Sequence, residues 1–114
     1  MAMTIGDIEK KVRTLVNDSD ASGYRFKPEE IHGFTVDALR HLWRIRPETR
    51  YANGMLMSGE IVPAVGTEIP VDSRFEEALV TYTAYKVYQL DMSDTVNIQL
   101  AETLKTRAEA LMQI

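Results

Sequence analysis

The segment NDSDASGYRFKPEE, residues 17 to 30, has residue types and a spacing that could hold a calcium ion. Counted from the first aspartate, oxygen-bearing side chains fall at positions one, three, five and twelve: Asp18, Asp20, Ser22 and Glu29. Gly23 follows at position six, where the loop of a helix-loop-helix calcium site turns sharply. Because Ca²⁺ takes oxygen ligands in this order, these residues are a candidate metal site.

Other features of the same segment favour an ordinary turn between two helices. Position eight, usually apolar in a calcium loop, is Arg25, and Lys27 adds a second positive charge where a divalent cation would bind. Glu29 directly follows a proline that suits a first helical turn, where an acidic side chain complements the helix dipole. We expect the rings of Tyr24 and Phe26 to lie between the first two helices. The sequence therefore predicts no bound metal, with a calcium-binding module as the alternative.

Other residues with metal or catalytic potential are incomplete as sites. Glu29 and His32 have the Glu-x-x-His spacing of di-iron helical bundles, but that site needs a second such pair and two further glutamates. His41 lies nine residues after His32, which at about 100° per residue places the two on opposite sides of a helix. The chain has no cysteine, no Gly-x-Ser-x-Gly elbow and no phosphate-binding glycine loop. We predict no cofactor and no enzymatic activity.

The stretch RHLWRIRPETR concentrates arginines beside the single tryptophan. Guanidinium groups suit planar anions and aromatic faces, so Arg40, Trp43, Arg44 and Arg46 are candidate residues for contact with a partner. A solvated helix face and a nucleic-acid contact are the other interpretations of this cluster. A small DNA-binding regulator that uses these arginines is thus a further alternative.

Composition limits the class of protein. The 114 residues suit one domain, residues 1–114, with 45% hydrophobic and 26% charged residues. The net charge is −4, and residues 51 to 114 hold nine acidic against four basic residues, whereas residues 1 to 50 are nearly balanced. The absence of cysteine suits a reducing cytoplasm, and we expect neither a signal peptide nor a membrane span.

Hydrophobic spacing predicts four helices. Thr4 and Asp7 resemble a capping box before a helix over 5–16, and a second helix is expected from Pro28 to about Arg46. A third helix, capped by Asp72 or Ser73, is apolar around most of its circumference. It must therefore be the central helix of the domain or be covered by a neighbouring subunit.

The fourth predicted helix begins at Ser93 or Asp94 and carries a heptad-like apolar seam. The seam consists of Asn97, Ala101, Leu104, Ala108 and Leu111. Packing within one bundle and contact with another subunit are both compatible with it.

Residues 47–72 change character, with glycines at 54, 59 and 66, prolines at 63 and 70, and short β-branched stretches, and residues 51–72 form the candidate arm. We predict a short β-hairpin or extended arm between helices two and three, and a mainly α, four-helix bundle-like domain around it. Because prolines cannot donate to a ladder, strands here must be short, at an edge, or completed by another subunit. The candidate contact residues of this arm are Met55, Leu56, Met57, Ile61 and Val62.

The order of these features resembles the head-to-tail connector (adaptor) proteins of tailed bacteriophages. The likeness covers nearly the whole chain, from TLVND and GYRFKPEEI through LWRIRPE to VDSRFEEALVTYTAYKVYQLDMSDTVNIQLAETL. The residues that carry it are Leu15, Asn17, Asp18, Arg46, Pro47, Glu48, Leu79, Tyr82, Tyr85, Asp91, Asp94 and Ala101.

The resemblance implies a structural protein of the virion, assembled in the host cytoplasm. Such a subunit would dock on the phage portal protein, contact tail components and form a homo-oligomeric ring, commonly of twelve copies. DNA would pass through the channel of the ring without sequence-specific binding. An acidic second half suits such a conduit, because like charge keeps DNA from adhering.

Overall fold

The computed structural model describes residues 3–16, 18, 23, 26–52, 55–56, 61–71, 73–90 and 95–113. Its four helices are α1 (Ile5–Leu15), α2 (Pro28–Ile45), α3 (Glu76–Leu90) and α4 (Thr95–Met112). Short 3₁₀ turns cover Pro47–Arg50 and Ser73–Phe75, and two strands, β1 (Tyr51–Ala52) and β2 (Met55–Leu56), lie between α2 and α3. The predicted mainly α class with four helices is confirmed.

Helix α1 begins with the capping box that the sequence predicts. The Asp7 N–H donates to Thr4 Oγ1 at 3.2 Å, and the Thr4 N–H donates to Asp7 Oδ2 at 3.0 Å. Each bond satisfies a backbone N–H that the helix itself leaves without an acceptor. The apolar face of α1, made of Ile5, Ile8, Val12 and, just after the helix, Val16, is buried in the core.

Helix α2 begins at Pro28 and ends at Ile45, close to both predicted limits. Pro28 lacks only an N–H that a first helical turn cannot use, and the two glutamates after it complement the helix dipole. The fully buried residues Ile31, Ala38, Leu39 and Leu42 form its core face. Arg46, which precedes Pro47, has left the helical conformation with φ −130° and ψ 80°, as expected before a proline.

Helix α3 is the central helix of the domain. It contacts α1, α2 and α4, most extensively α4. Seven consecutive residues, 78 to 84, are buried, so the chain covers nearly every side of this helix. The sequence left open whether a neighbouring subunit must cover α3, and the described residues show that its own chain already does.

Helix α4 packs on α3 through small residues. Ala101 and Ala108 are buried, Met112 is fully buried at its end, and Leu104 and Leu111 are half-buried against the core. Packing within the bundle thus accounts for these members of the predicted seam, while the side chain of Asn97 lies outside the described part. The proposed caps Asp72, Ser93 and Asp94 also lie outside it.

The β structure of the predicted arm is smaller than expected. Tyr51 pairs with Leu56 and Ala52 with Met55 in a two-residue antiparallel ladder. The described residues 61–71 add only one isolated bridge, between Glu68 and Thr4. Within the described residues, the predicted short β-hairpin is therefore not supported as a distinct element, and Pro63 and Pro70 cannot donate to a ladder in residues 61–71.

Of the helices in the described part of the chain, none is long and apolar enough to cross a membrane.

Candidate functional site

Asp18, the first residue of the calcium pattern, is buried and engaged in the fold. Its carboxylate oxygen Oδ2 accepts hydrogen bonds from Arg13 Nη1 at 2.8 Å and from the Phe26 backbone N–H at 3.1 Å. Its own N–H donates to the Arg13 carbonyl at 2.7 Å. Asp18 thus holds the end of α1 against the start of α2, as a turn residue does.

Only one of the other predicted calcium ligands, Glu29, is among the described residues. Glu29 is exposed in the first turn of α2, and Asp20 and Ser22 lie outside the described residues. No group of three His, Cys, Asp or Glu side chains that could hold a metal is found in the part of the chain that the structure describes. Phe26 is buried in the core, as the turn interpretation expects, while Tyr24 is not among the described residues.

Arg13 is the centre of a buried polar network that the sequence did not predict. Its side chain is 3% exposed, and Nε donates to Glu9 Oε2 at 2.8 Å. Nη2 donates to the Phe26 carbonyl at 3.0 Å, in addition to the ion pair with Asp18. His32 Nε2 lies 2.7 Å from the second Glu9 oxygen, which brings α2 into the network. We call Glu9, Arg13, Asp18 and His32 the buried lock.

The electrostatics of the buried lock match its geometry. Burial raises the pKa of Glu9, but the hydrogen bonds from His32 and Arg13 outweigh burial, so the pKa lies below its ordinary value. The lock therefore favours an ionised Glu9 beside a buried guanidinium. Its sequence signal was a Glu and an Arg four residues apart on α1, with Arg13 directly following Val12 of the apolar face. The same contact directs His32 to Glu9 and away from the Glu-x-x-His arrangement with Glu29.

The predicted arginine and tryptophan cluster does not form one surface. Arg40 and Arg44 are exposed on α2, whereas Trp43 is 7% exposed within the core. Arg46 Nε donates to Glu48 Oε1 at 2.8 Å, and its guanidinium lies 5.6 Å from the centroid of the Phe75 ring. Trp43 and Arg46 thus stabilise the end of α2, and only Arg40 and Arg44 remain as surface candidates from this cluster.

His41 lies where α2, α3 and α4 meet. Its ring stacks on Tyr82 with a centroid distance of 4.7 Å and an interplanar angle of 23°. Its Nε2 atom is buried without a hydrogen-bond partner among the described residues, and Glu109 Oε1 is 4.0 Å away. Burial lowers the pKa of His41, and the Glu109 carboxylate only partly opposes this. The neutral imidazole is therefore favoured in the folded chain.

The C-terminal half of the predicted arm is attached to α1. The N–H groups of Ile5 and Gly6 donate to the carbonyls of Thr67 and Val65, both at 2.9 Å. The Ile69 N–H donates to the Met3 carbonyl at 2.8 Å. The first two bonds occupy N–H groups of the first turn of α1 that have no acceptor within the helix. The segment is therefore held in place and is not a freely projecting arm.

The residues that lead up to and include the first attachment, Val65, form an exposed apolar loop. We call residues 62–66 the knob, because all five of its residues, Val62, Pro63, Ala64, Val65 and Gly66, are exposed. Of the predicted arm contacts, Val62 belongs to the knob, whereas Ile61 is half-buried against the core. The side chains of Met55 and Leu56 and the whole of Met57 lie outside the described residues.

A second apolar feature lies between α1, α3 and α4. It is a groove of about 300 Å³ with an aliphatic floor of Leu15, Val80 and Leu104. Ion pairs flank it: Lys11 with Glu76, and Arg107 Nη2 with Glu77 Oε1 at 2.5 Å. Sequence reasoning missed the groove because it depends on the relative position of three helices.

Comparisons of the chain with protein-family models, curated proteins and solved structures found no significant match.

Proposed function

We propose that this chain is a structural subunit of a bacteriophage head-to-tail connector that forms a ring around the DNA channel and docks on the portal. The observation that carries the proposal is the knob, an apolar loop fixed to α1 and left exposed by its own chain. Val62 and Val65 are 68% and 60% exposed. An apolar patch that is both fixed and exposed is typical of a surface that meets another protein.

The residues that carry the family resemblance support the proposal at the level of the fold. Asp18 belongs to the buried lock, and Leu79 and Ala101 are buried at the centre of the helix packing. Arg46 and Glu48 pair just after α2. These described members of the shared sequence pattern belong to the helical framework, as expected if this chain shares the architecture of connector subunits.

Arg40 and Arg44 are the proposed contacts with the portal or with a neighbouring subunit, and the knob is the proposed contact within the ring. Virion location, contact with tail components and passage of DNA without sequence-specific binding belong to the same proposal. The calcium-binding alternative is less favoured, because Arg13 and the Phe26 N–H already occupy an oxygen of Asp18.

Native mass spectrometry of the concentrated protein, with and without added calcium, tests this function. A closed oligomer whose mass is an integer multiple of 12.9 kDa, seen as a ring by negative-stain electron microscopy, supports the proposal. A monomer that retains one calcium ion contradicts it and favours the loop at Asp18. A bare monomer at every concentration contradicts ring formation by this chain alone.

A further inference from the structure

Three positively charged side chains lie around His41, one from each of the helices that meet there. We call them the basic cluster: Arg44, Lys86 and Lys105. Arg44 lies one turn after His41 on α2, and Lys86 lies one turn after Tyr82, whose ring stacks on His41. Residues three or four apart on a helix are neighbours on its surface, so both cations are placed beside the imidazole.

Lys105 reaches the same place from α4. It lies one turn before Glu109, whose Oε1 is 4.0 Å from His41 Nε2. Its Nζ atom is 5.8 Å from the centroid of the Tyr85 ring, and that ring meets Tyr82 edge to face at 5.3 Å. Burial is the largest cause of the lowered pKa of His41, and the charges of all three cations lower the pKa further, which agrees with this placement.

The basic cluster keeps its charges available. Arg44 and Lys105 are exposed, and Lys86 is partly exposed. None of the three has an ion pair within the described part of the chain. Their N–H groups can therefore donate to an anion without first breaking an internal pair.

His41 adds a nitrogen atom to the same place. Its Nε2 is buried and has no hydrogen-bond partner among the described residues, and the Glu109 oxygen at 4.0 Å is beyond hydrogen-bond distance. Buried polar atoms are normally hydrogen-bonded, so such an atom points to a ligand. When Nε2 carries a proton, it is one more donor beside the three cations.

Two carboxylates also face this position and must be counted. Glu109 has a side chain that is 39% exposed, and Asp37 is exposed one turn before His41 on α2. Three cations against two carboxylates leave one positive charge with His41 neutral, on a chain whose net charge is −4. The partly exposed Glu109 carboxylate can turn into solvent when an anion approaches. The place is thus locally positive on an acidic protein, which attracts an anion.

We propose that the basic cluster and His41 bind a phosphate group. Phosphate presents acceptor oxygens in several directions and suits donors that arrive from three helices, whereas a carboxylate presents two oxygens in one plane. Guanidinium and ammonium groups are both common phosphate partners. The phosphate group belongs either to a small free anion or to a nucleic-acid backbone. This inference goes beyond the proposed function and does not depend on ring formation.

Histidine NMR tests the site, because the chain has only two histidines. Inorganic phosphate is added at pH 7 to protein that is isotope-labelled at histidine Cε1, and sodium acetate at matched ionic strength is the carboxylate control. We expect the His41 signal to shift with phosphate and to reach saturation. The His32 signal should stay in place, since His32 lies against Glu9 in the buried lock. A His41 shift that is absent, or equal in acetate, overturns the inference.

A pair of variants tests whether the basic cluster holds the anion. Arg44→Gln combined with Lys105→Gln removes two exposed cations, and the phosphate affinity should fall several-fold. The matched control is Lys10→Gln, because Lys10 is an exposed cation on α1, away from this junction, and its removal should leave the affinity unchanged. Equal affinities in the double variant and the control overturn the inference. Lys105→Arg keeps the charge and should keep phosphate binding.

A final arm distinguishes the two sources of the phosphate group. A short double-stranded DNA replaces inorganic phosphate at the same phosphate concentration, and the same two histidine signals are followed. A saturable His41 shift with inorganic phosphate supports the site with a small anion as ligand. A shift with DNA alone, lost in the double variant, supports the site with a nucleic-acid backbone as ligand. No shift with either overturns the inference.

Discussion

The buried lock and the knob place polar and apolar side chains in opposite ways. In the lock, charged groups lie inside: Arg13 and Asp18 are 3% and 4% exposed and bonded to each other. In the knob, apolar groups lie outside: Val62 and Val65 are more than half exposed. The hydrogen bonds and ion pairs of the lock join α1 to α2, whereas the apolar side chains of the knob are not covered by the described part of their own chain. The comparison suggests that the first region determines the fold and the second the assembly.

The largest expected effect comes from removing the centre of the lock. Arg13→Met leaves the carboxylates of Glu9 and Asp18 without their shared cation in a largely buried site. Breaking a buried ion pair in this way costs about 3–5 kcal/mol, so urea unfolding should show a loss of that size. The control is Lys10→Met on the same helix, where the side chain is exposed and the expected change is within about 0.5 kcal/mol. Similar losses in both variants would contradict a structural role for the lock.

A smaller effect is expected where the knob meets α1. Gly6→Ala would place a methyl group against Val65 backbone and side chain, and relieving that overlap should destabilise the fold by about 1–3 kcal/mol. Gly33→Ala is the matched control, because among the described residues the added Cβ would have no atom within 4 Å beyond its chain neighbours and the backbone of its own helix. There the substitution should stabilise the protein by about 0.5–1 kcal/mol. Thermal unfolding of both variants measures the difference in sign, and a stabilising Gly6→Ala would contradict the close approach.

A pH-dependent effect is expected from His41. Its folded-state pKa lies below the ordinary value of 6.5, so above that pH both the folded and unfolded states are neutral at this residue. As pH falls below 6.5, the unfolded chain binds a proton that the folded chain does not, and stability decreases until the folded-state pKa is reached.

Urea unfolding of the wild type and His41→Gln between pH 7.5 and 5 isolates this contribution. Glu9 does not interfere in this interval. Its lowered pKa stabilises the folded state, and that stabilisation is lost only when the pH falls below 4.5, the ordinary pKa of a glutamate. We expect the variant to lose less stability than the wild type over this interval. An equal or steeper loss in the variant would contradict the assignment to His41.

Sequence reasoning predicted the elements better than the contacts between them. Helix periodicity, the Thr4 capping box and the proline signals of α2 are local, and the structure confirms them. The lock joins residues 9, 13, 18 and 32, and the groove joins three helices. Spacing along the chain indicates only the Glu9–Arg13 pair, because the other contacts depend on how the helices pack. Trp43 shows the same limit of reasoning from the sequence. It stands close to Arg40 and Arg44 in the sequence and was grouped with them, but the packing of the helices buries its ring while the two arginines are exposed.

The smallest effect on stability, and the sharpest test of the comparison, is expected within the arm itself. The adjacent residues Ile61 and Val62 were predicted as equal partner contacts, yet Ile61 is half-buried against the core and Val62 is 68% exposed. Ile61→Ser should therefore cost about 1 kcal/mol through lost burial. Val62→Ser should change stability by less than about 0.5 kcal/mol, because a solvated side chain contributes little to folding.

Assembly should respond to Val62 even though stability does not. If the knob is a subunit contact, Val62→Ser lowers the oligomer mass in native mass spectrometry while urea unfolding of the monomer stays unchanged. The opposite result would be a Val62→Ser protein that assembles like the wild type but has a less stable monomer. That result would show that Val62 contributes to the fold and that the knob is not a subunit contact. The two measurements on one substitution thus decide whether the exposed apolar loop serves the fold of its own chain or the contact with the next.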